Sequence, residues 1–205
     1  MGQAKKRSKQ WQVSPERVMS LQESKQLLKY CEDRHLADLA KGRKTWVKHY
    51  MLVDLALKSG LRVSEIRALK VSNLNLSKTP NIHVQHGKGK KPRHVPIDLA
   101  LKKHIKEYIE HFDLSPDDYL LKNNSGKQIS RQGLEKNIYT IVEKAGLPRY
   151  SIHCFRHTYA TMHYRKNKNL HKLRKNLGHS RIETTTVYLH TSKEDALEMS
   201  TGLYE

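Results

Sequence analysis

Long apolar runs are missing from this chain, and so are nearly half of the acidic residues that would balance its basic ones. Across 205 residues there are 20 aspartates and glutamates against 39 lysines and arginines, a formal net charge of +19. No stretch reaches the roughly 18 apolar residues that a membrane-spanning helix needs, so no membrane partner is expected. Cysteine is scarce: Cys31 and Cys154 stand alone, with no C-x-x-C partner, which excludes a disulfide framework. Both read as buried thiols in a reducing cytoplasm. Lys5, Lys6, Arg7 and Lys9 are followed by no apolar run, so no signal peptide is expected, and Lys6 breaks the myristoylation pattern that Gly2 would begin.

The acids that are present are unevenly placed. They gather between Glu16 and Asp38 and between Glu107 and Asp118, whereas Ile66 to Ile97 and Lys144 to Ile182 hold none. Segregated charge of this size implies one basic face and a polyanionic partner, nucleic acid first among them. Length alone suggests one domain with a short tail at each end. The boundaries are a basic tail over 1–15, a domain over 16–191 and a C-terminal tail over 192–205.

Read in order, the chain is mostly helical. Ser20-x-x-Glu23 is a capping box that opens a helix through Leu27, Leu28 and Tyr30. A second helix carries Trp46, Val47, Tyr50, Met51, Val53, Leu55 and Leu57, apolar on most sides and therefore deep in the core, with Gly60 as its C-terminal cap. Ser64 is the expected N-cap of a short helix bearing Glu65, Ile66 and Leu69, which puts Arg62 in a tight turn between helices. Ile82 and Val84, then Gly87 to Lys91, then Val95 and Ile97 alternate as two strands around a glycine-containing turn. Asp98 caps a helix with Leu101, Ile105, Tyr108, Ile109 and Phe112 inward, and Tyr119 to Leu121 reads as a short strand. Ser130 begins a helix through Leu134, Ile138, Ile141 and Val142 that Gly146 ends. Further helices run from His153 to about Lys166 and from Leu170 to Leu177, the latter stopped by Gly178. Ser180-x-x-Glu183 opens a last helix near Arg181. The class is mainly α with a small antiparallel sheet (α+β).

Several of these elements present cations and one phenol. Arg62, a lysine among Lys88 to Lys91, His153, Arg156, His179 and Tyr188 are the candidates. Two arginines can grip the non-bridging oxygens of a phosphodiester through bidentate forks, a grip that matters most when extra negative charge develops in the transition state. Tyr188 would attack phosphorus, with His153 as a base for its proton and His179 as a donor to a phosphate oxygen. Glu65, three residues beyond Arg62, is placed to orient that guanidinium. The hairpin lysines either touch a DNA backbone or supply a proton to the leaving alkoxide. His153 and His157 have zinc-ligand spacing, but Cys154 stands where a glutamate would follow and no third ligand is evident. No carboxylate cluster is available for magnesium. Tyr139, Tyr159 and Tyr164 compete as nucleophiles; Tyr159 reads as core, and the other two lack comparable neighbours.

The ordered motifs SGLRVSEI, HGKGKKPRHVPI, SIHCFRHTYAT and LGHSRIETTTVYLH resemble those of tyrosine recombinases of the phage-integrase family, over roughly Ser20 to His190. The resemblance implies the tyrosine-recombinase catalytic-domain fold and strand exchange through a 3′-phosphotyrosine on Tyr188 with a free 5′-hydroxyl. It implies Arg62, His153, Arg156 and His179 around the phosphate, Glu65 in support, and Lys88 as general acid. Lys90, Lys91, Arg93, Lys5 and Lys6 are then contacts to double-stranded DNA. No cofactor and no metal are implied. A homotetramer on a DNA synapse is implied, with accessory DNA-bending proteins and a C-terminal tail exchanged between protomers as further expectations. The protein would act in the cytoplasm, encoded by a bacterium, a phage or another mobile element. Members usually carry an additional N-terminal helical domain that closes around DNA. Lacking one, the chain resembles small members such as the fimbrial phase-switch recombinases, or a catalytic domain cut from a longer protein. A non-catalytic DNA-binding protein on the same scaffold and a type IB topoisomerase are the competing expectations.

Overall fold

A single helix, apolar almost all round, sets the arrangement of everything else. In the computed structural model, which describes residues 18–85 and 92–179, this is α2 (Thr45–Ser59), preceded by α1 (Leu21–Ala40). Met51, Val53 and Leu55 of α2 are fully buried. A helix with no polar stripe cannot lie at a surface, and α2 is accordingly wrapped by α1, α4 (Leu99–Phe112), α5 (Arg131–Lys144) and α6 (Ile152–Asn167). The other α-helices among the described residues are short: α3 (Val63–Ala68) follows α2 directly, and α7 (Leu170–Leu177) follows α6.

The helix starts follow local capping chemistry. Ser20 Oγ accepts from Glu23 N at 3.1 Å while Glu23 Oε2 accepts from Ser20 N at 2.8 Å, a reciprocal capping box. Asp98 and Ser130 accept from Leu101 N and Gly133 N in the same way for α4 and α5. At α2 the cap arrives from a neighbour: Asp38 Oδ2, near the end of α1, accepts from Trp46 N at 2.8 Å. The start of α3 departs from expectation. Its N-cap is Arg62 and not Ser64, because Glu65 reaches back so that Oε2 accepts from Arg62 N at 2.8 Å. The glutamate takes the place of the expected hydroxyl, and the helix begins at Val63.

Between α3 and α4 lies an antiparallel sheet in the order β1 (Leu74–Asn75), β2 (Asn81–Val84), β3 (Arg93–Pro96). Ile82 faces Val95 and His83 faces His94 in the β2–β3 register. Ile82 and Val95 are fully buried, whereas His94 is exposed, as the two-residue period of a strand requires. The turn joining β2 to β3 lies outside the described residues. Strand β1, only two residues long, has no counterpart in the sequence reading; the strand expected over Tyr119 to Leu121 is reduced to one antiparallel bridge from Tyr119 to Lys70.

The main core runs from α2 through Ile66, Leu101, Ile105, Leu134, Ile138 and Phe155. Beyond it sits a smaller cluster of Ala160, Leu173 and Leu177, with Tyr159 and Tyr164 packed against it. That second cluster fixes α7 on α6, and the C-terminal end of α7 is where the candidate site forms.

Candidate active site

Helix α7 ends in a left-handed glycine, Gly178, with φ of +64°. His179 N donates to Arg174 O and Gly178 N to Lys175 O, both at 3.2 Å, the pair of bonds that defines a Schellman turn. This arrangement leaves the carbonyls of Asn176 and Leu177 without helical donors. Three arginines from three other elements fill the gap and extend it by one residue. Arg93 Nε donates to Asn176 O at 2.8 Å, Arg156 Nη2 to Leu177 O at 2.7 Å, and Arg62 Nη2 to Gly178 O at 3.0 Å. Carbonyls at a helix C-terminus carry the negative end of its dipole, so guanidinium groups gather there readily. With no acid between Lys144 and Ile182, backbone oxygens are the available counter-charge in this part of the chain.

Each arginine is also held from a second side. Arg156, on α6 and only 4 % exposed, donates through Nη1 to Gly60 O at 2.5 Å. Gly60 ends α2 at φ of +61°, and the ring of Tyr159 occupies the space where a Cβ would project. Burial pushes the Tyr159 hydroxyl up from its ordinary pKa, in keeping with a packing role. Arg62 Nη1 donates to Glu65 Oε1 at 2.9 Å. Arg93 forks onto the same carboxylate, Nη1 to Oε1 and Nη2 to Oε2, both at 2.8 Å. With the bond from Arg62 N, four N–H groups converge on Glu65, about the full lone-pair capacity of a carboxylate. Burial alone would raise the Glu65 pKa, but the Arg93 fork, the Arg62 amide and the two positive charges bring it down to about 2.

His179 follows the turn, with Nε2 lying 3.1 Å from Arg156 Nη2. A guanidinium only donates, so Nε2 is the acceptor and the ring proton of the neutral form sits on Nδ1. Burial, then the charges of Arg156, Arg62 and Arg93, push the His179 pKa down to about 3. The imidazole is therefore neutral at pH 7 and carries its one N–H on Nδ1. His153 is on the exposed side of α6, edge-on to His157 at 5.4 Å between ring centroids.

Arg62, Glu65, Arg156 and His179 are thus brought together around one turn. Lys88, Lys90, Lys91, Tyr188, Lys5 and Lys6 lie outside the described residues, as does the helix expected near Arg181. Arg93 differs from its expected place on a DNA-facing hairpin tip. Its side chain is 8 % exposed and turned inward, three of its N–H groups being held by Glu65 and Asn176. The sequence contains the signal: Arg93 shares strand parity with Val95 and Ile97, and both of those are buried. What no motif could have indicated is the use of the carbonyls of Gly60, Asn176, Leu177 and Gly178 as acceptors, since any residue type supplies them. Among the described residues no three histidine, cysteine or acidic side chains cluster as metal ligands, and no helix is long and apolar enough to cross a membrane.

A mainly helical chain with this sheet and this turn belongs to the phage integrase family, whose model matches residues 17–195. It is 32 % identical over 166 residues to the tyrosine recombinase XerC of Lactobacillus leichmannii, covering 78 % of this chain and 56 % of that protein. To the tyrosine recombinase XerD of Oceanobacillus iheyensis it is 32 % identical over 181 residues, covering 84 % and 60 %. The chain therefore spans little more than half the length of the curated relatives it matches. Among solved structures, XerH recombinase bound to a palindromic difH substrate in a post-cleavage complex superposes with a TM-score of 0.75 at 25 % identity, over 92 % of this chain and 53 % of that one. XerA recombinase gives 0.73 at 25 % identity, over 89 % and 63 %. A lambda integrase dimer bound to a core site gives 0.63 at 14 % identity, a likeness of fold.

Proposed function

We propose that this chain cuts and rejoins DNA as the catalytic domain (16–191) of a site-specific recombinase. The observation that carries the proposal is the gathering of Arg62, Arg156 and His179 around one turn in a chain of the phage integrase family. Arg62 and Arg156 face the non-bridging oxygens of the target phosphate, and neutral His179 donates one hydrogen bond to it. All three act most strongly on the additional charge of the five-coordinate transition state. The Tyr188 oxygen attacks phosphorus and gives its proton to His153; the bond to the 5′ oxygen breaks, and Lys88 supplies that alkoxide with a proton. The product is a 3′-phosphotyrosine and a free 5′-hydroxyl, and the reverse reaction with another 5′-hydroxyl joins the strands. The phosphoryl bond is conserved throughout, so no nucleotide is consumed.

Double-stranded DNA is the partner. Lys5, Lys6, Lys90 and Lys91 supply backbone contacts, and four copies form the synapse, with the 192–205 tail passed between them and DNA-bending proteins assisting. The setting is the cytoplasm.

A nicked suicide duplex, whose short 5′-hydroxyl fragment diffuses away after attack, tests the reaction. Wild-type protein should accumulate a covalent adduct that resists denaturing electrophoresis. Tyr188→Phe should bind the same DNA and form none. An adduct that survives in Tyr188→Phe would move the nucleophile elsewhere. No adduct from wild type with libraries of random duplexes would leave only a DNA-binding protein. Sequence-independent relaxation of supercoiled DNA would make it a topoisomerase.

A further inference from the structure

We propose that Arg93 is a positioning residue that locks Arg62 and the His179 turn into one unit, an inference that rests on the recombinase reading above. Arg93 stands at the start of β3, directly after the β2–β3 turn that carries the candidate lysines. Its guanidinium touches both halves of the site at once. The Nη1 and Nη2 groups fork onto Glu65, the carboxylate that also takes Arg62 Nη1 and Arg62 N, so Arg93 fixes the acid that fixes Arg62. Nε holds Asn176 O in the last turn of α7, two residues before the carbonyl that Arg62 itself grips. The approach is close: a Cβ built on Gly178 would stand 3.1 Å from Cδ, Nε and Cζ of Arg93. Glycine at 178 is therefore required twice, by its positive φ and by the guanidinium lying against it.

The arrangement uses properties that only arginine has. A planar fork can satisfy both carboxylate oxygens and still present Nε in the same plane to a third acceptor; an ammonium group cannot. The Nε, Nη1 and Nη2 groups of Arg93 are turned toward Asn176 and Glu65, so its effect on the reaction passes through Arg62 and His179. It also links them to the hairpin, because its own backbone belongs to β3. Any shift of that strand moves the carboxylate and the α7 turn together.

Arg93→Lys tests the idea, because it keeps the charge and loses the fork. Cleavage of the suicide duplex is followed in single turnover at saturating DNA, where the amplitude reports the folded fraction and the first-order rate constant reports geometry. The rate constant is expected to fall by about 10- to 100-fold, the range that a misplacement of about 1 Å in a catalytic site produces, with DNA affinity within about threefold of wild type. In a Glu65→Gln background the same substitution should cost less than it does in wild type, since its route to Arg62 is already cut and only the bond to Asn176 O remains to be lost. A drop in amplitude or melting temperature with an unchanged rate constant would reduce Arg93 to a structural residue. A weakened affinity and shallower salt dependence at an unchanged rate constant would restore it to the DNA-contacting role suggested by the sequence.

A second reading needs no DNA. The His179 ring titration, followed by proton NMR, should move upward from about 3 toward the ordinary histidine value in Arg93→Lys as the turn loosens and water reaches the imidazole. If that titration stays at its wild-type position, Arg93 does not hold the turn, whatever reaction the protein performs. If it moves while wild-type protein never forms an adduct, the coupling stands and the recombinase reading falls.

Discussion

A carboxylate clasped by two guanidinium groups is a joint that acid can open, and Glu65 is that joint. Its pKa is about 2 in the folded chain against an ordinary value of 4.5. The group is depressed, so its contribution to stability is complete above pH 4.5 and is lost as pH falls toward 2. With the side chain 4 % exposed, solvent screens little of it. The contribution is on the order of 3 kcal/mol, since each tenfold change in proton affinity between the folded and unfolded chain is worth about 1.4 kcal/mol. Glu65→Gln should therefore be less stable than wild type at pH 7, and the gap should close between pH 4.5 and 2. Urea midpoints measured for both proteins across that window check it; two parallel profiles would show that Glu65 is not the titrating joint. At this scale the sequence is legible only in part. The motif and the i,i+3 spacing single out Arg62 and Glu65. Charge groups Arg93 with the lysines of its turn, although strand parity assigns it to the inner face. For a long cationic side chain next to an acid, parity is the better guide than charge, because the ion pair offsets the cost of burial.

The helices are legible because caps are local chemistry. Ser20 with Glu23, Asp98 and Ser130 each satisfy amide groups within three residues of themselves, and a glycine follows α2, α5 and α7 at or just past the end. Strand β1 is not legible, since two residues carry no period, and Tyr119 fails as a strand because one bridge to Lys70 is all the pairing it finds. The three terminal glycines share a backbone conformation, with φ of +61° at Gly60, +69° at Gly146 and +64° at Gly178, yet their surroundings differ. Gly146 faces open space, Gly178 lies against a guanidinium that can shift slightly, and Gly60 lies under the Tyr159 ring. Alanine at 146 should cost about 1–2 kcal/mol for the left-handed conformation alone. Alanine at 178 should cost more, and alanine at 60 the most, because an aromatic ring packed on Ala160 and α7 cannot retreat. Thermal melting of the three variants should rank them in that order. Gly60→Ala melting like Gly146→Ala would mean that the α2–α6 packing yields more easily than its geometry implies. The ranking bears on the site, since the Gly60 carbonyl is an anchor of Arg156.

For the whole molecule, a net charge of +19 acts on two quantities that salt should separate. Exposed cations attract a polyanion over a distance that ions shorten to about 8 Å at physiological strength. Each phosphate they neutralise releases condensed counterions, so the logarithm of affinity should fall with the logarithm of salt at a slope of about −0.9 per phosphate neutralised. Lys5, Lys6, Arg7 and Lys9 changed together to glutamine should make that slope shallower by a similar amount for every phosphate that the altered arm leaves unneutralised. The cradle obeys other rules. Arg93, Glu65 and Arg156 are nearly buried, and their partners lie within 3 Å or so of one another, well inside the screening length. Ions in solution reach such pairs poorly. Raising salt should therefore weaken DNA binding steeply while leaving the single-turnover cleavage rate, measured with DNA held saturating at each salt concentration, almost unchanged. A rate constant that fell in step with affinity would mean that the arginines around the α7 turn are exchanging their carbonyl and carboxylate partners for solvent, and that DNA has to assemble the site it binds to. A flat rate constant over a steep binding curve would show a cradle already built before the phosphate arrives.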